Sequence, residues 1–572
     1  MGRTKGTMQR AFDNQLYLAE QAAAIRERME QSKGRLYLEF GGKLLNDFHA
    51  ARVLPGYDPN VKVRLLKRLQ EEAEIILCIH AGAIEQRKVR ADYGITYDAD
   101  AMKLIDDLRE WGLSLAAVVI TRWNGQSQAE AFRRKIENRG VKVYTHGPIP
   151  GYPADPELIV SAAGYGSNPR IGVEKPLVVV TGPGPGSGKM ATSLSQIYHD
   201  HLLGQEAMYA KFETFPIWNL PLDHPVNKAY EAATLDLQDA NLVDPFHLKA
   251  TGVVAVNYNR DVESFPILRS ILERIGGESG GSGCGSRSES RSGSGQVKSA
   301  TQAVGIEGDA KEGAEEGTLF YAPGDPEQGL YRSPTEMGVN RAGFAIVNDE
   351  AAQEAAKQEV VRRYFRCACE HVMGAADRSA LEKGEALLKE LGIGPEYRRV
   401  VSAARREAEE EKKGAKNKRG TASGEKEEEQ RSEIYCGAAL ELPDGTIVGG
   451  KNSVLLHAAT AAVINGAKAL AGLPDSIHLL SPIVIESISR FKQEVLRRQS
   501  ATLDVDEAMI ALSISAALNP MVQACIDQLP ELRSCQMHLT HLPTPGDEAG
   551  LRKLGINLTS DPLFASRRLF VE

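Results

Sequence analysis

Residues 176–203 read "PLVVVTGPGPGSGKMATSLSQIYHDHLL", and this stretch decides how the chain folds. A run of apolar, β-favouring residues enters a glycine-rich turn, and a helical pattern follows. Buried strand, tight turn and helix form the repeating unit of an α/β protein with a parallel sheet. The same turn has the parts of a phosphate cradle. Small residues let successive backbone N–H groups point at an anion, the next helix adds its positive end, and a lysine supplies charge. Gly184, Gly186, Ser187, Gly188 and Lys189 would fill these roles. The spacing departs from the usual G-x-x-x-x-G-K-[ST]. Pro183 stands where the first glycine belongs, between Gly182 and Gly184, and Met190 replaces the hydroxyl that would hold magnesium. Pro183 and Pro185 each lack an amide donor. Thr192 or Ser193 could serve magnesium only if the helix starts elsewhere. The strand–turn–helix context favours an anion site over a plain turn whose lysine faces solvent.

Outward from this unit the pattern repeats. "NQLYLAEQAAAIRERMEQ" has helical periodicity, and "RLYLEFGG", "EIILCIHA", "LAAVVITRW", "VKVYTHG" and "ELIVSA" read as short buried strands. "DADAMKLIDDLREWG" and "SQAEAFRRKIENRG" between them are helices closed by glycine. "VVAVNYN" is a further strand and "VESFPILRSILERI" a helix. The spacing predicts an N-terminal, mostly parallel, Rossmann-like or P-loop-like α/β domain over 1–275. Residues 276–318, "GGESGGSGCGSRSESRSGSGQ" and onward, cannot bury a core and read as a disordered insertion. A helical middle region spans 319–404, and a charged low-complexity insertion, solvated helix or disorder, spans 405–432. A C-terminal α/β domain over 433–572 opens on a hairpin with an Asp-Gly turn, "CGAALELPDGTIVGGKN". Apolar helices follow it in "LLHAATAAVINGAKALAG" and "VDEAMIALSISAALNP".

Composition bounds the function. At 572 residues, several domains are expected. A net charge of -8 leaves no global footprint for nucleic acid, so a nucleic-acid partner is not expected. No apolar run reaches membrane-spanning length, and the N-terminus lacks both a secretory h-region and a hydroxyl residue at the myristoylation position, where Gly6 stands. Seven scattered cysteines fit reduced thiols in a cytoplasmic protein.

Several long motifs carry a resemblance. "VVVTGPGPGSGKMATSLSQIYHDHL", "YAKFETFPIWNLPLDHPVNKAYEAATLDL", "VNYNRDVESFPIL" and "YRSPTEMGVNRAGF" closely resemble the domain-of-unknown-function family 1846, a mainly bacterial group. "LYLEFGGKLLNDFHAARVLPGYDP" and "VRADYGITYDAD" match its N-terminal part, and "LELPDGTIVGGKNS" with "LRKLGINLT" its C-terminal part. The likeness spans nearly the whole chain. It implies an N-terminal α/β domain, a helical middle and a C-terminal unit with cytidine-deaminase-like topology. It implies no reaction.

The residues exclude some chemistries by motif. There is no H-E-x-x-H and no G-x-S-x-G elbow between a strand and a helix, the one literal match, at 277–281, falling in the Gly/Ser-rich run, which speaks against a zinc peptidase or an α/β-hydrolase. His457 in "LLHAATAA" is followed by Ala459 where a zinc deaminase needs Glu, and no P-C-x-x-C follows. Cys367 and Cys369 form C-x-C on a predicted helix and read as packing residues, so by motif no zinc site is expected.

Other polar residues cluster near predicted strand ends, where ligands of open α/β sheets gather. Lys43, after Gly41 and Gly42, could contact a phosphate or leave a plain strand exit. His49 and Arg52 lie three apart and could bind an anion or form a structural ion pair. Arg122 ends another strand, with a surface turn as the alternative. "KFETFPIWNLPLDHPVNKAYE" offers Lys211, Glu213, Asn219, His224 and Asn227. The alternative there is a loop folded down by Phe212, Phe215 and Trp218. Asp244, His247, Asn257, Asn259, Arg260 and Asp261 follow, then Arg332 and Asn340; Arg332 could clamp an anion or be a buried structural arginine.

These readings converge on an enzyme binding a nucleotide, with or without magnesium, or a phosphorylated small molecule. Phosphoryl transfer or hydrolysis is the expected reaction. His224 or His247 would serve as acid/base, with Asp244 or Glu213 orienting it or holding a metal. The alternative is a non-catalytic metabolite-binding or assembly protein. A homo-oligomer is expected in either case.

Overall fold

The computed structural model describes residues 10–90, 94–277, 331–419, 434–497 and 500–566. The nine N-terminal residues, the Gly/Ser-rich run from 278 onward and residues 420–432 lie outside the described residues.

Six strands form the main sheet: β1 (Arg35–Phe40), β2 (Ala73–His80), β3 (Leu115–Thr121), β4 (Val143–His146), β5 (Leu177–Thr181) and β6 (Ala207–Phe212). Their order is β4-β3-β2-β5-β1-β6, and every pairing is parallel. The runs are apolar at nearly every position because both faces are covered. Leu36, Leu38 and Phe40 of β1 face one core, and Tyr37 faces the other.

Helices Tyr97–Glu110 and Ser127–Glu137 cover one face, against Leu77, Ile79, Val118 and Ile120. Helices Lys189–Leu202 and Asn259–Gly277 cover the other, against Ile76, Cys78, Val178 and Val180. The chain leaving β2 therefore turns toward β3 on one face, while the chain leaving β5 turns toward β6 on the opposite face. β2 and β5 are neighbours. The connections leave the carboxyl ends of these two neighbours toward opposite faces, which makes the place between them the switch point of the sheet, where α/β proteins hold ligands.

Two expectations change. "ELIVSA" is not a strand: Pro156–Ile159 is a short helix whose cap, Asp155, accepts the Leu158 amide at 3.1 Å. The Asp-Pro start signal outweighs the apolar run. Val256–Tyr258 in "VVAVNYN" is a strand, but it pairs antiparallel with Asn241–Val243 outside the main sheet. Edge strand β6, "AMYAKF", was not among the expected strands.

The middle region consists of helices Asp349–Val372, Arg378–Glu390 and Arg399–Arg419, the last running on through residues 405–419. Its start is tied down, since Arg405 holds Asp561 at 2.7 Å. The Asp-Gly hairpin joins Gly437–Glu441 to Ile447–Lys451, and Gln536–Leu539 and Asn557–Ser560 complete a mixed four-stranded sheet. Among the described residues no helix is long and apolar enough to cross a membrane.

Candidate functional site

The glycine-rich loop leaves β5 beside the end of β2 and opens helix Lys189–Leu202. Gly188 is the N-cap residue, with φ +88°, and a Cβ there would lie 2.7 Å from Thr121 at the end of β3. Only glycine meets both demands. Thr121 Oγ1 donates to the Ser187 carbonyl at 2.8 Å, so β3 pins the loop from below. Among the described residues no backbone hydrogen bond takes up the amides of Gly184, Gly186, Ser187 or Gly188. The Ser187 hydroxyl is also buried without a partner among them. An anion at a helix N-terminus satisfies such donors.

Because the helix begins at Lys189, the two replacement hydroxyls are turned inward. Thr192 Oγ1 takes a contact from the Cys78 thiol at 3.5 Å, and Ser193 Oγ donates to the Lys189 carbonyl at 3.0 Å. Met190 packs toward the core. No ordinary magnesium ligand follows the lysine.

Beside the loop lies a buried charged cluster. Lys189 Nζ is 3.7 Å from Glu39 Oε1, and the Tyr209 hydroxyl donates to Glu39 Oε2 at 2.6 Å. Lys211 Nζ reaches both Asp261 oxygens, at 2.5 and 2.7 Å, donates to Tyr258, and lies 3.4 Å from Glu213. Tyr258 donates to Glu213 Oε1 at 3.3 Å. The backbone of Gly41 at the β1 exit passes against the Glu213 carboxyl, leaving no room for a side chain.

Burial raises the Glu213 pKa; Lys211 opposes this, while Asp261 and Glu39 add to the rise. For Lys211 burial acts downward, but Asp261, Glu213 and Glu39 outweigh it and hold the ammonium well above its usual range. Glu213 keeps 25% of its side-chain surface exposed, so it can exchange protons with a ligand or solvent. A carboxyl raised in this way suits general acid–base work.

On the other flank, Arg122 Nη1 sits 3.4 Å from His80 Nε2, and burial, Arg122 and Lys88 all lower the His80 pKa. Lys211, Glu213, Asn257 and Asn340 meet around a small cavity of about 50 Å³.

The remaining candidates are engaged in other bonds. His224 accepts from the Val226 amide as a helix cap and meets Asp349 at 3.0 Å. His247 contacts the Ser333 hydroxyl at 3.2 Å, and Asp244 caps the same helix and accepts from Thr335 at 2.6 Å. Asn227 bonds the Ile217 backbone, Asn219 packs against Gly343, and Asn259 accepts from the Ala240 amide. Arg260 grips Asp239 at 2.5 and 2.7 Å, and Arg332 pairs with Glu336 at 2.6 Å. His49 and Arg52 meet Glu359, and Lys43 opens with Arg52 on a separate groove. Glu39, Tyr209 and Tyr258 belong to the charged cluster beside the loop and His80 to the opposite flank, and no motif in the sequence points to any of the four. An acid inside the strand "RLYLEF" was the one signal available for Glu39. Among the described residues no group of three or more His, Cys, Asp or Glu is arranged to hold a metal ion.

A parallel α/β sheet with a glycine-rich strand–loop–helix at its switch point defines the class of this protein. The chain belongs to the family "Domain of unknown function DUF1846". The family's N-terminal model matches residues 10–286 and 326–392, and its C-terminal model matches residues 396–570. A UPF0371 protein of Clostridium botulinum (strain Alaska E43 / Type E3) is 45% identical over 563 residues, covering 98% of this chain and 99% of its own length. A UPF0371 protein of Clostridium tetani (strain Massachusetts / E88) is 44% identical over the same span and coverage.

Proposed function

We propose that the chain binds a nucleotide or a phosphorylated small molecule at the glycine-rich loop and transfers or hydrolyses its phosphoryl group. The observation that carries this reading is the loop's place: amides with no backbone acceptor among the described residues, at a helix N-terminus, at the switch point between β2 and β5. Lys189 would neutralise the phosphate, and Glu213 would move the proton, its pKa already raised. Lys211 and Asp261 position Glu213. His224 and His247 are bonded as cap and anchor, which leaves Glu213 as the acid–base candidate within the charged cluster beside the loop.

The alternative, a non-catalytic binding or assembly protein, draws support from Ile510, Ile514 and Leu518, which are 61%, 52% and 92% exposed on and just after helix Val505–Ala516. The two readings part on turnover. Phosphate release from a panel of nucleotides and sugar phosphates, with and without magnesium, should be detectable in the wild type. It should fall about 100-fold or more in Glu213→Gln with ligand affinity retained. Tight binding with no turnover of any compound contradicts catalysis and leaves the assembly reading.

A further inference from the structure

A groove of about 2380 Å³ runs between the N-terminal α/β part and the C-terminal unit, lined by helix Asp349–Val372. Glu359, Arg362, Arg363 and Arg366 follow one another at i, i+3, i+4 and i+7 on that helix, so they share a face. Glu359 is 2% exposed, and its two oxygens are fully used. Arg52 donates to them at 2.7 and 3.3 Å, Arg362 at 2.6 and 2.8 Å, and Arg363 at 2.9 Å. His49 meets the same carboxylate at 3.1 Å, but burial depresses its pKa to about 4, so it adds no charge at neutrality.

Arg398 completes the cluster from just ahead of helix Arg399–Arg419 and is also 2% exposed. Its bonds go to neutral acceptors, Gln536 Oε1 at 2.9 Å and the Asn557 carbonyl at 3.2 Å. Its Nε is buried without an acceptor among the described residues. The nearby carboxylate Asp47 is engaged by Lys62 at 2.9 Å, and Arg366 by Glu370 at 2.8 Å. Three guanidiniums, from Arg52, Arg362 and Arg363, thus converge on the carboxylate of Glu359, while buried Arg398 beside them is bonded to neutral groups and leaves its Nε unmet among the described residues. Burial, with crowding by the other arginines, pushes Arg363 and Arg398 down to about 9. Uncompensated buried charge is costly, and an anion entering the groove would relieve it. Guanidiniums match phosphate oxygens with paired, directional donors.

We infer that this arginine cluster is a second anion site, built for a multiply charged di- or triphosphate group and independent of the glycine-rich loop. Arg398, bonded to Gln536 and Asn557 of the C-terminal sheet, approaches from that side and Arg52 from the α/β part, so the ligand would bridge the two.

Hydrogen exchange of the full chain, with and without pyrophosphate, tripolyphosphate or ATP at fixed ionic strength, tests this. Exchange across 356–370 and 396–403 should slow about tenfold or more with each compound, in wild type and in Lys189→Ala alike. Equal affinity for tripolyphosphate and ATP assigns the site to the phosphate chain alone, and tighter ATP binding assigns it to a nucleotide. By calorimetry, Arg363→Gln and Arg398→Gln should weaken pyrophosphate binding about tenfold or more. The inference is overturned if protection is confined to 182–192, if it vanishes in Lys189→Ala, or if no pyrophosphate binds. Should an arginine variant not fold, the exchange comparison of wild type with Lys189→Ala decides alone.

Discussion

Single residues in this molecule show how burial sets chemistry. Burial pushes both His49 and His146 down to about 4. For His146 a bond to the Pro169 carbonyl at 3.2 Å opposes burial without overcoming it. The unfolded chain titrates near 6.5, so between that value and about 4 it binds protons the folded chain refuses. Stability should therefore be intact above about pH 6.5 and fall as pH drops toward 4, by up to ~3 kcal/mol for each histidine. Urea midpoints measured from about pH 7 to 4.5 check this, with His146→Gln expected to flatten the fall. An unchanged slope in that variant would mean that His146 is not buried as neutral imidazole. The candidate site was partly legible at this scale. Lys189, Lys211 and Glu213 stand out as charges beside strand ends. Tyr258 and Asp261 reach Lys211 only through folding across about 50 residues of chain, which no local pattern encodes.

At the level of elements, the strand–loop–helix unit is where sequence and structure agree most closely. Strand β5 is an uninterrupted apolar run because helices cover both its faces, and the glycines after it must end it. Strand β6 escaped notice because "AMYAKF" carries Lys211 and has neither clean alternation nor a full apolar run. The false strand at "ELIVSA" shows the converse, an apolar run too short to tell strand from helix without its Asp-Pro start. The loop itself makes a prediction. Gly188→Ala would place a Cβ 2.7 Å from Thr121 in a left-handed backbone conformation, at φ +88°. It should cost about 2 kcal/mol or more by thermal or urea denaturation, from strain and clash together. A cost within about 0.5 kcal/mol, the range of an ordinary surface substitution, would show that the loop is free to rearrange.

Across the whole molecule, alternation of strands and helices revealed the parallel sheet, and a hairpin signal revealed the start of the C-terminal unit. How the two parts meet was not legible. Arg52 reads as an anion contact or a structural ion pair with no partner named, and Arg362 and Arg363 give no local signal, because periodicity shows that residues share a face but not what the face meets. The central claim concerns the glycine-rich loop at the switch point between β2 and β5, and one comparison tests it most directly. Thermal stabilisation by nucleotides, sugar phosphates and inorganic phosphate is measured for wild type and Lys189→Ala. A ligand bound in the groove shifts both proteins equally, so the difference between them reports the glycine-rich loop. At about one hundred times its dissociation constant, a loop ligand should stabilise the wild type by roughly 2.7 kcal/mol more than the variant. Equal shifts in the two proteins, or no shift with any compound, would contradict a phosphate cradle at residues 182–189.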